Sequence, residues 1–326
     1  MRFGRGVVGL LAVLVAWAAF SALSPFFLTG SNIMNVGSQV GPLAIAALGE
    51  MVVIITGGFD VSIGAVAALV TVVTAGALNA VGPAGLLAAP LVGIACGAVN
   101  GILVSYGGVQ PIITTLGMLS FARGLALILS GGSQAVTLRD AGAVAWLGYG
   151  QLGGVPAGLA VTVVVILLLV SLLRGLRLGR WFYMVGSNRQ AAELVGVPVK
   201  AAIAWAYALC GAAVSLTALF YLARASAGLP TEGTGVELQA IAAGVIGGAS
   251  LTGGVGAPVP VFFGALFIQT LSNALDLAGI SPFVKEVVLG AVIVFAGLID
   301  YISRKISDTQ PVGRDGRAPD TQTHVG

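Results

Sequence analysis

The chain has 326 residues and a formal net charge of +3; 57% of its residues are hydrophobic and only 8% are charged. Soluble domains carry about 25% charged residues, so this composition excludes a protein whose surface lies mostly in water. It predicts an all-α, multi-pass integral membrane protein in which small residues let helices approach closely. Cys96 and Cys210 lie in apolar stretches and are expected to pack as small residues, not as a disulfide or metal pair.

The basic excess and the scarcity of reactive side chains exclude other classes of protein. The only histidine, His324, lies in the polar C-terminal segment, which argues against histidine catalysis and zinc binding. No paired thiols or acid dyad suggest an intramembrane enzyme, so we expect no catalytic residues, no metal and no cofactor. No basic stripe interleaved with aromatic residues points to nucleic acid.

At about 20 apolar residues per crossing, the sequence predicts ten transmembrane helices. They are 7–28, 38–57, 60–80, 84–105, 112–131, 155–173, 201–223, 236–255, 259–278 and 284–302. The first is favoured over a cleaved signal peptide because its apolar stretch is long. Residues 1–302 then form a transmembrane domain, and the polar tail 303–326 is expected to be disordered.

The distribution of basic residues predicts the orientation. With both termini in the cytoplasm, 11 of the 15 basic residues lie inside. Arg139, Arg224 and Lys285 lie outside, and Arg123 lies within a span. The opposite orientation would reverse this bias.

The cytoplasmic loop 174–200 contains a short helix with recognisable ends. Ser187 followed three residues later by Gln190 is a capping-box pattern. Gly196 suits the left-handed position after a helix, and Pro198 prevents its continuation. A helix of about two turns is not stable alone in water, so something must hold it. Two interpretations stay open: it rests on its own membrane domain, or it docks in a groove on a separate cytosolic protein.

The segment ITGGFDVSIG (55–64) separates two apolar stretches, and VIGGASLTGG (245–254) echoes it. Transporters often carry glycine-interrupted spans at matching places in two halves, so the echo suggests an internal duplication around a pathway. Asp60 has two interpretations. Its carboxylate caps the free amides of the next span, which we favour because this also explains the glycines; or it lines a polar pathway.

Other polar residues lie at membrane depth. Glu50 is roughly 15 Å along a helix from that aspartate. An isolated charge there costs at least ~2.5 kcal/mol, so Glu50 is expected to be protonated, paired or facing water. We prefer pathway lining for it over a structural hydrogen bond. Arg123 is a candidate partner for either acid, and Asn100, Gln269 and Asn273 either bridge helices or line a pore.

Four stretches together resemble the permease subunits of ribose-type bacterial sugar ABC importers, in the branched-chain amino acid/ribose-type permease superfamily. They are GGFDVSIGAVAAL (57–69), NGILVSYGGVQPIITTLGML (100–119), GRWFYMVGSNRQAAELVGV (179–197) and GTGVELQAIAAGVIGGASLTGGVG (233–256). The resemblance runs in order from about residue 35 to 300. Two departures are Gln239, where an aspartate is common, and the prolines of APVPVFFG (257–264).

The resemblance implies a permease that forms half of a sugar pathway by alternating access in the bacterial inner membrane. The implied partners are a second permease subunit, identical or different, a cytosolic ATP-binding subunit, an extracytoplasmic sugar-binding protein and membrane lipid. The sequence agrees with this division of labour, because it has no G-x-x-x-x-G-K-[ST] phosphate loop with which to bind ATP. Rival hypotheses are an ABC permease for another polar solute, such as a nucleoside, and an ion-coupled secondary transporter with Glu50 or Asp60 carrying a proton.

Two sets of site residues follow. The expected substrate pathway comprises Glu50, Gly57, Gly58, Asp60, Ser62, Asn100, Gly247, Gly248 and Asn273. The coupling set, carried by the helix from Asn188 to Val195 and its flanks, comprises Gly186, Asn188, Ala191, Ala192, Glu193, Leu194 and Gly196.

Overall fold

The computed structural model describes residues 3–308, without the side chains of residues 3–8, 293, 296 and 299–308. The helices are α1 (Phe3–Leu23), α2 (Gly30–Ile55), α3 (Ile63–Val81), α4 (Ala88–Ser105), α5 (Pro111–Leu129), α6 (Gly142–Tyr149), α7 (Ala157–Gly175), α8 (Arg177–Ser187), α9 (Arg189–Leu194), α10 (Val199–Ala225), α11 (Val236–Ile246), α12 (Pro258–Leu277) and α13 (Pro282–Asp308). A 3-10 turn, Gly82–Leu87, joins α3 to α4. Strands β1 (Val136–Thr137) and β4 (Ala227–Gly228) pair antiparallel, and β2 (Gln151–Leu152) forms a hairpin with β3 (Val155–Pro156).

An all-α membrane protein is confirmed at this level. Within the described residues, six helical segments are long and apolar enough to cross a membrane. They are Gly30–Ile55, Ile63–Ser105, Pro111–Leu129, Ala157–Gly175, Val199–Ala225 and Pro258–Leu277. The second of these contains both α3 and α4, which pack against each other across the 3-10 turn.

Helix α2 is the centre of the molecule. It contacts α7, α10, α11 and α12, and every residue from Val40 to Ile55 is buried. Pro42 lies inside it and has no N–H to donate, so the carbonyl of Ser38, four residues earlier, loses its helical partner. The Arg224 guanidinium at the end of α10 donates to that carbonyl. The proline is therefore tolerated because a neighbouring helix satisfies the freed acceptor.

Glycines explain the close contact between α4 and α10. Gly93, Gly97 and Gly101 recur every four residues, so they lie along one face of α4. A Cβ added at any of them would collide with α10, for instance 2.8 Å from Ala204 Cα at position 101. Since lipid supplies no hydrophobic drive between helices, such small-residue contacts are what hold them together.

The predicted span 236–255 is wrong in its second half. Helix α11 has 11 residues and ends at Ile246, because the backbone turns at Gly247 and Gly248, and Gly248 has a φ of 79°. The next predicted span, 259–278, corresponds to α12. Pro258 is its first residue, a position where the missing N–H has no helical acceptor to lose.

The C-terminal boundary differs from the predicted one. Helix α13 continues to Asp308, so residues 303–308 of the predicted tail belong to it. The rest of that tail, residues 309–326 with His324, lies outside the described residues.

Candidate functional site: a glycine junction beside a buried acidic cluster

The turn between α2 and α3 reverses the chain within the protein. Gly57 has a φ of 83°, and the Gly58 amide reaches back to the Val53 carbonyl at 3.2 Å. This 6→1 bond is the Schellman pattern that ends helices at glycine. The chain then returns alongside α2, so that the Asp60 amide donates to Glu50 Oε1 at 3.1 Å.

Four of the predicted pathway residues meet in one cluster, hereafter the acidic cluster: Glu50, Asp60, Ser62 and Asn100. Asp60 Oδ1 accepts hydrogen bonds from the amide and the hydroxyl of Ser62, the amide at 2.9 Å. Asn100 Nδ2 donates to Ser62 Oγ at 3.1 Å and to Asp60 Oδ2 at 3.4 Å. Asp60 thus accepts an amide as a cap would. The amide belongs to Ser62, the N-cap residue, because α3 begins at Ile63, two residues later than capping by Asp60 requires.

The acidic cluster is sealed from solvent in this conformation. Glu50, Ser62 and Asn100 have no exposed surface, and Asp60 is 4% exposed. Tyr207 of α10 closes it further, since its hydroxyl donates to the Phe59 carbonyl at 3.1 Å. The sequence did not single out Tyr207. The spacing of the glycines on α4 was its only signal, because Gly97 and Gly101 bring α10 against this turn.

The proposed pairing of Arg123 with either acid is wrong. Its guanidinium donates to the carbonyls of Pro230 and Glu232, at 2.6 and 3.0 Å, and to Thr234 Oγ1 at 3.3 Å. Across the residues the structure covers, no lysine or arginine forms an ion pair with Glu50 or Asp60. The reason is positional: Arg123 serves an irregular stretch of backbone that has no helical partners of its own.

That stretch, residues 226–235, runs from the end of α10 to the start of α11 along α3. Thr71 Oγ1 donates to the Leu229 carbonyl at 3.4 Å, and Gly64 packs directly on Gly233. Hydrogen bonds from Arg123 and Thr71 satisfy carbonyl groups of this non-helical backbone. Together with α11 it therefore forms a broken segment that Arg123 holds in place.

The second glycine segment ends α11 as the first ends α2. Gly248 donates to the Val245 carbonyl and Ala249 to the Gly244 carbonyl, each bond matching one made by Gly57 and Gly58. The backbone therefore aligns Gly57 with Gly248. Reading ITGGFDVSIG and VIGGASLTGG residue by residue would instead pair Gly57 with Gly247, one residue away, because chain geometry and not residue identity defines the helix end.

The two glycine segments meet each other and the end of α8, in what we call the glycine junction. The Gly254 amide donates to the Ile55 carbonyl at 2.8 Å. Gly186 lies against both, and a Cβ at that position would overlap the Ile55 carbonyl oxygen and lie 2.5 Å from the Gly254 nitrogen. The junction thus joins α2, the loop after α11, and α8.

The short helix of the 174–200 loop is present as α9, but its cap differs from the predicted one. Asn188 is the N-cap and accepts from the Ala191 amide at 2.9 Å, because Ser187 is the last residue of α8. Gly196 ends the helix with a φ of 79°, as predicted. The sequence also missed α8, whose buried residues Gly179, Phe182 and Val185 form one apolar face.

Helix α9 has a packed side and a free side. Ala192 is 2% exposed and belongs to the protein's own core, whereas Leu194 is 88% and Val195 67% exposed. Glu193, with Tyr106 and Lys200, lines an adjoining groove of about 360 Å³. The interpretation that α9 rests on its own domain is therefore right for its Ala192 side, and the opposite side remains uncovered in the described chain.

Asn273 lies apart from the acidic cluster and bridges helices. Its amide exchanges two hydrogen bonds of 2.9 Å with the Asn32 amide of α2. Gln269, one turn earlier on α12, makes a single bond to α2: its Nε2 donates to Gln39 Oε1 at 2.9 Å. Both residues therefore bridge α12 to α2 in this structure. Asn100 bridges α4 to the turn after α2 in the same manner.

Comparison with known proteins places the chain in a family. Residues 32–297 match the family described as branched-chain amino acid transport system / permease component. The chain is 40% identical over 300 residues to the ribose import permease protein RbsC of Escherichia coli strain K12, covering 89% of this chain and 92% of that one. It is 34% identical to the D-allose transport system permease protein AlsC of the same strain, over 92% of both chains.

The L-arabinose transport system permease protein AraH of that strain is also 34% identical, over 94% of both chains. No solved structure matches. Both the extent of the family match and these identities lead to one conclusion. The chain belongs to the permease-component family of the branched-chain amino acid transport systems, and it is a membrane-embedded permease of an ABC importer, not an enzyme.

Proposed function

We propose that this chain forms half of the translocation pathway of an ATP-driven sugar importer and works by alternating access. The names of its relatives, which import ribose, allose and arabinose, support a monosaccharide as the solute. The observation that carries the mechanism is the continuity from α9 through α8 to the glycine junction. Force applied to the uncovered side of α9 reaches the ends of α2 and α11 through one rigid helix.

We propose ten membrane segments, formed by α1–α5, α7 and α10–α13, with both termini in the cytoplasm. The broken segment and α11 together make one crossing, since α11 alone spans about half a bilayer at 1.5 Å per residue. Basic residues clustered at the α8–α9 end support a cytoplasmic position for that end. They are Arg174, Arg177, Arg180, Arg189 and Lys200. The matching helix ends of α2 and α11 favour an internal duplication.

We propose that the glycine junction is the cytoplasmic gate of the pathway. The turns carrying Gly57, Gly58, Gly247 and Gly248 border it, and the broken segment forms the wall above. Because the acidic cluster is buried, its role in the pathway is to hold the first of these turns, not to contact solute in this conformation. Asn273 fixes α12 against α2 in the same way.

In this proposal three partner proteins complete the importer. A second permease subunit, identical or different, supplies the other half of the pathway. A cytosolic ATP-binding subunit takes the uncovered side of α9 with Leu194 and Val195, and an extracytoplasmic binding protein delivers the sugar. Apolar knobs of this kind dock into grooves on partner proteins.

The experiment begins with the complex isolated from native membranes in mild detergent. Mass spectrometry of the co-isolated proteins and of the small molecule held by the binding protein should find an ATP-binding subunit and a monosaccharide. A nucleoside in that binding protein would replace the sugar assignment and keep the ABC mechanism. Recovery of the chain with no ATP-binding subunit, and active on its own, would support the ion-coupled alternative.

A further inference from the structure

A cavity of about 220 Å³ lies at the opposite end of the molecule from α9. It is enclosed by the first turns of α2, the end of α6, the β2–β3 hairpin, the start of α7 and the last turn of α10. Its polar lining residues are Ser31, Asn35, Ser38, Tyr149, Gln151 and Arg224. Because α10 has 27 residues, its length separates this cavity from α9 by roughly 40 Å.

Arg224 is the one cation on this cavity's wall, and its charge has no counterpart there. One Nη2–H donates to the Ser38 carbonyl freed by Pro42. A guanidinium has five N–H donors, and any neutral donor would satisfy a carbonyl, so that bond does not explain the charge. No acidic residue lines the cavity, and within residues 3–308 no ion pair involves Arg224.

The rim of the cavity is typical of an interaction surface. Tyr149 is 74% exposed while its hydroxyl donates to the Arg224 carbonyl at 2.9 Å, and Trp146 is 47% exposed. Aromatic residues and arginine are the side chains enriched at protein interfaces. A partly buried cation beside exposed aromatic rings favours a protein partner that brings a carboxylate.

We propose that this cavity receives an aspartate or glutamate side chain of the extracytoplasmic solute-binding protein, paired with Arg224. The inference rests on the proposed function, which puts this end outside the cell. A carboxylate can take two parallel N–H bonds from a guanidinium, which fixes position as well as charge. A neutral sugar offers hydroxyl groups but leaves the charge uncompensated.

The test measures how the solute-binding protein isolated with the complex binds the complex in lipid nanodiscs. Arg224→Gln should raise the dissociation constant about 30-fold or more, as loss of one partner of a desolvated charge pair does. Asn35→Asp should have a similar effect, because it places a competing carboxylate in the cavity while the bond from Arg224 to Ser38 stays intact. Arg139→Gln is the matched control, since Arg139 is exposed at the same end and does not line the cavity.

A positive readout comes from Arg224→Lys treated with a carbodiimide, which condenses the introduced amine with a touching carboxylate to an amide. Mass spectrometry should then recover a peptide of the binding protein joined to position 224 through Asp or Glu. Unchanged dissociation constants for both Arg224→Gln and Asn35→Asp would overturn the proposal. The proposal would also fail if these variants left the dissociation constant unchanged but altered the solute concentration needed for half-maximal uptake. That result would make the cavity a solute subsite. ATP-driven uptake at saturating binding protein is a separate readout, so either failure leaves the proposed function standing.

Discussion

Glu50 and Asp60 place two carboxyl groups in one sealed cluster. Glu50 Oε1 accepts the Asp60 amide, Glu50 Oε2 has no partner in the described chain, and the cluster contains no cation. Two adjacent buried carboxylates without a counter-ion are too costly to keep, so the cluster holds at least one proton. Asp60, with three donors aimed at it, is the better charged acceptor, which leaves Glu50 as the neutral acid.

If Glu50 is a neutral acid, a neutral amide at position 50 should preserve uptake. Glu50→Gln keeps an acceptor for the Asp60 amide and should keep uptake within about twofold of the unmodified complex, since one hydrogen bond of equal geometry is retained. Glu50→Leu removes that acceptor and leaves a buried amide unpaired, which costs about 1–3 kcal/mol. It should lower the melting temperature in detergent, measured by fluorescence of the intrinsic tryptophans.

The same two variants distinguish a structural Glu50 from a Glu50 that carries a proton in an ion-coupled transporter. A transporter that carries a proton on Glu50 loses its driving reaction in Glu50→Gln, whereas a structural acid does not. Abolished uptake by a Glu50→Gln complex of normal melting temperature would contradict the structural role.

Substitutions on the two sides of helix α9 should have different effects. Substitution of Ala192 disturbs the protein's own core, so it does not isolate docking. Leu194→Ala removes the most exposed apolar side chain of α9 and should weaken the ATP-binding subunit's attachment about tenfold or more, as truncation of an interface anchor does. Leu176→Ala is the matched control, because Leu176 is exposed at the same end but precedes α8. Pull-down of the subunit by detergent-solubilised permease measures it; equal recovery with both variants would exclude Leu194 from the docking surface.

The glycine junction makes a second prediction about elements. Gly186→Ala forces a Cβ into backbone atoms of Ile55 and Gly254, and overpacking of this kind costs about 1–3 kcal/mol. The ends of α2 and α8 must separate to relieve it, so uptake should fall while Leu194 still binds the ATP-binding subunit. Gly117→Ala in α5 is the control, because a Cβ there meets nothing within 4 Å. We expect Gly186→Ala to allow ATP hydrolysis without uptake. Normal uptake by this variant would show that the glycine junction is not the cytoplasmic gate.

Local patterns in the sequence predicted some features at this scale, and contacts between distant segments decided the others. The stop at Gly196, the start of α12 and the polar turn at 55–64 are local, so they could be predicted. The end of α11 at Ile246 was missed, although Gly247 and Gly248 repeat the glycine pair that ends α2. The cluster of Asp60 with Asn100, the lid of Tyr207 and the partner carbonyls of Arg123 all depend on tertiary packing.

At the scale of the whole molecule, three long helices connect two chemically different ends. Helices α2, α7 and α10 run from the cavity around Arg224 to the α8–α9 end, where the basic residues lie. At one end Arg224 can pair with a carboxylate, and at the other the exposed apolar residues Leu194 and Val195 lie near basic side chains. In the proposed mechanism, the energy that drives alternating access enters the chain through α9.

Uptake into sealed proteoliposomes of the labelled solute identified in the co-isolated binding protein tests that mechanism most directly. The account predicts accumulation only when permease, ATP-binding subunit and solute-binding protein are together with ATP on the subunit's side, and no effect of a protonophore. It predicts equilibration at most, with no accumulation, by the permease chain alone. Concentrative uptake by the lone chain, collapsed by a protonophore and indifferent to ATP, would contradict it.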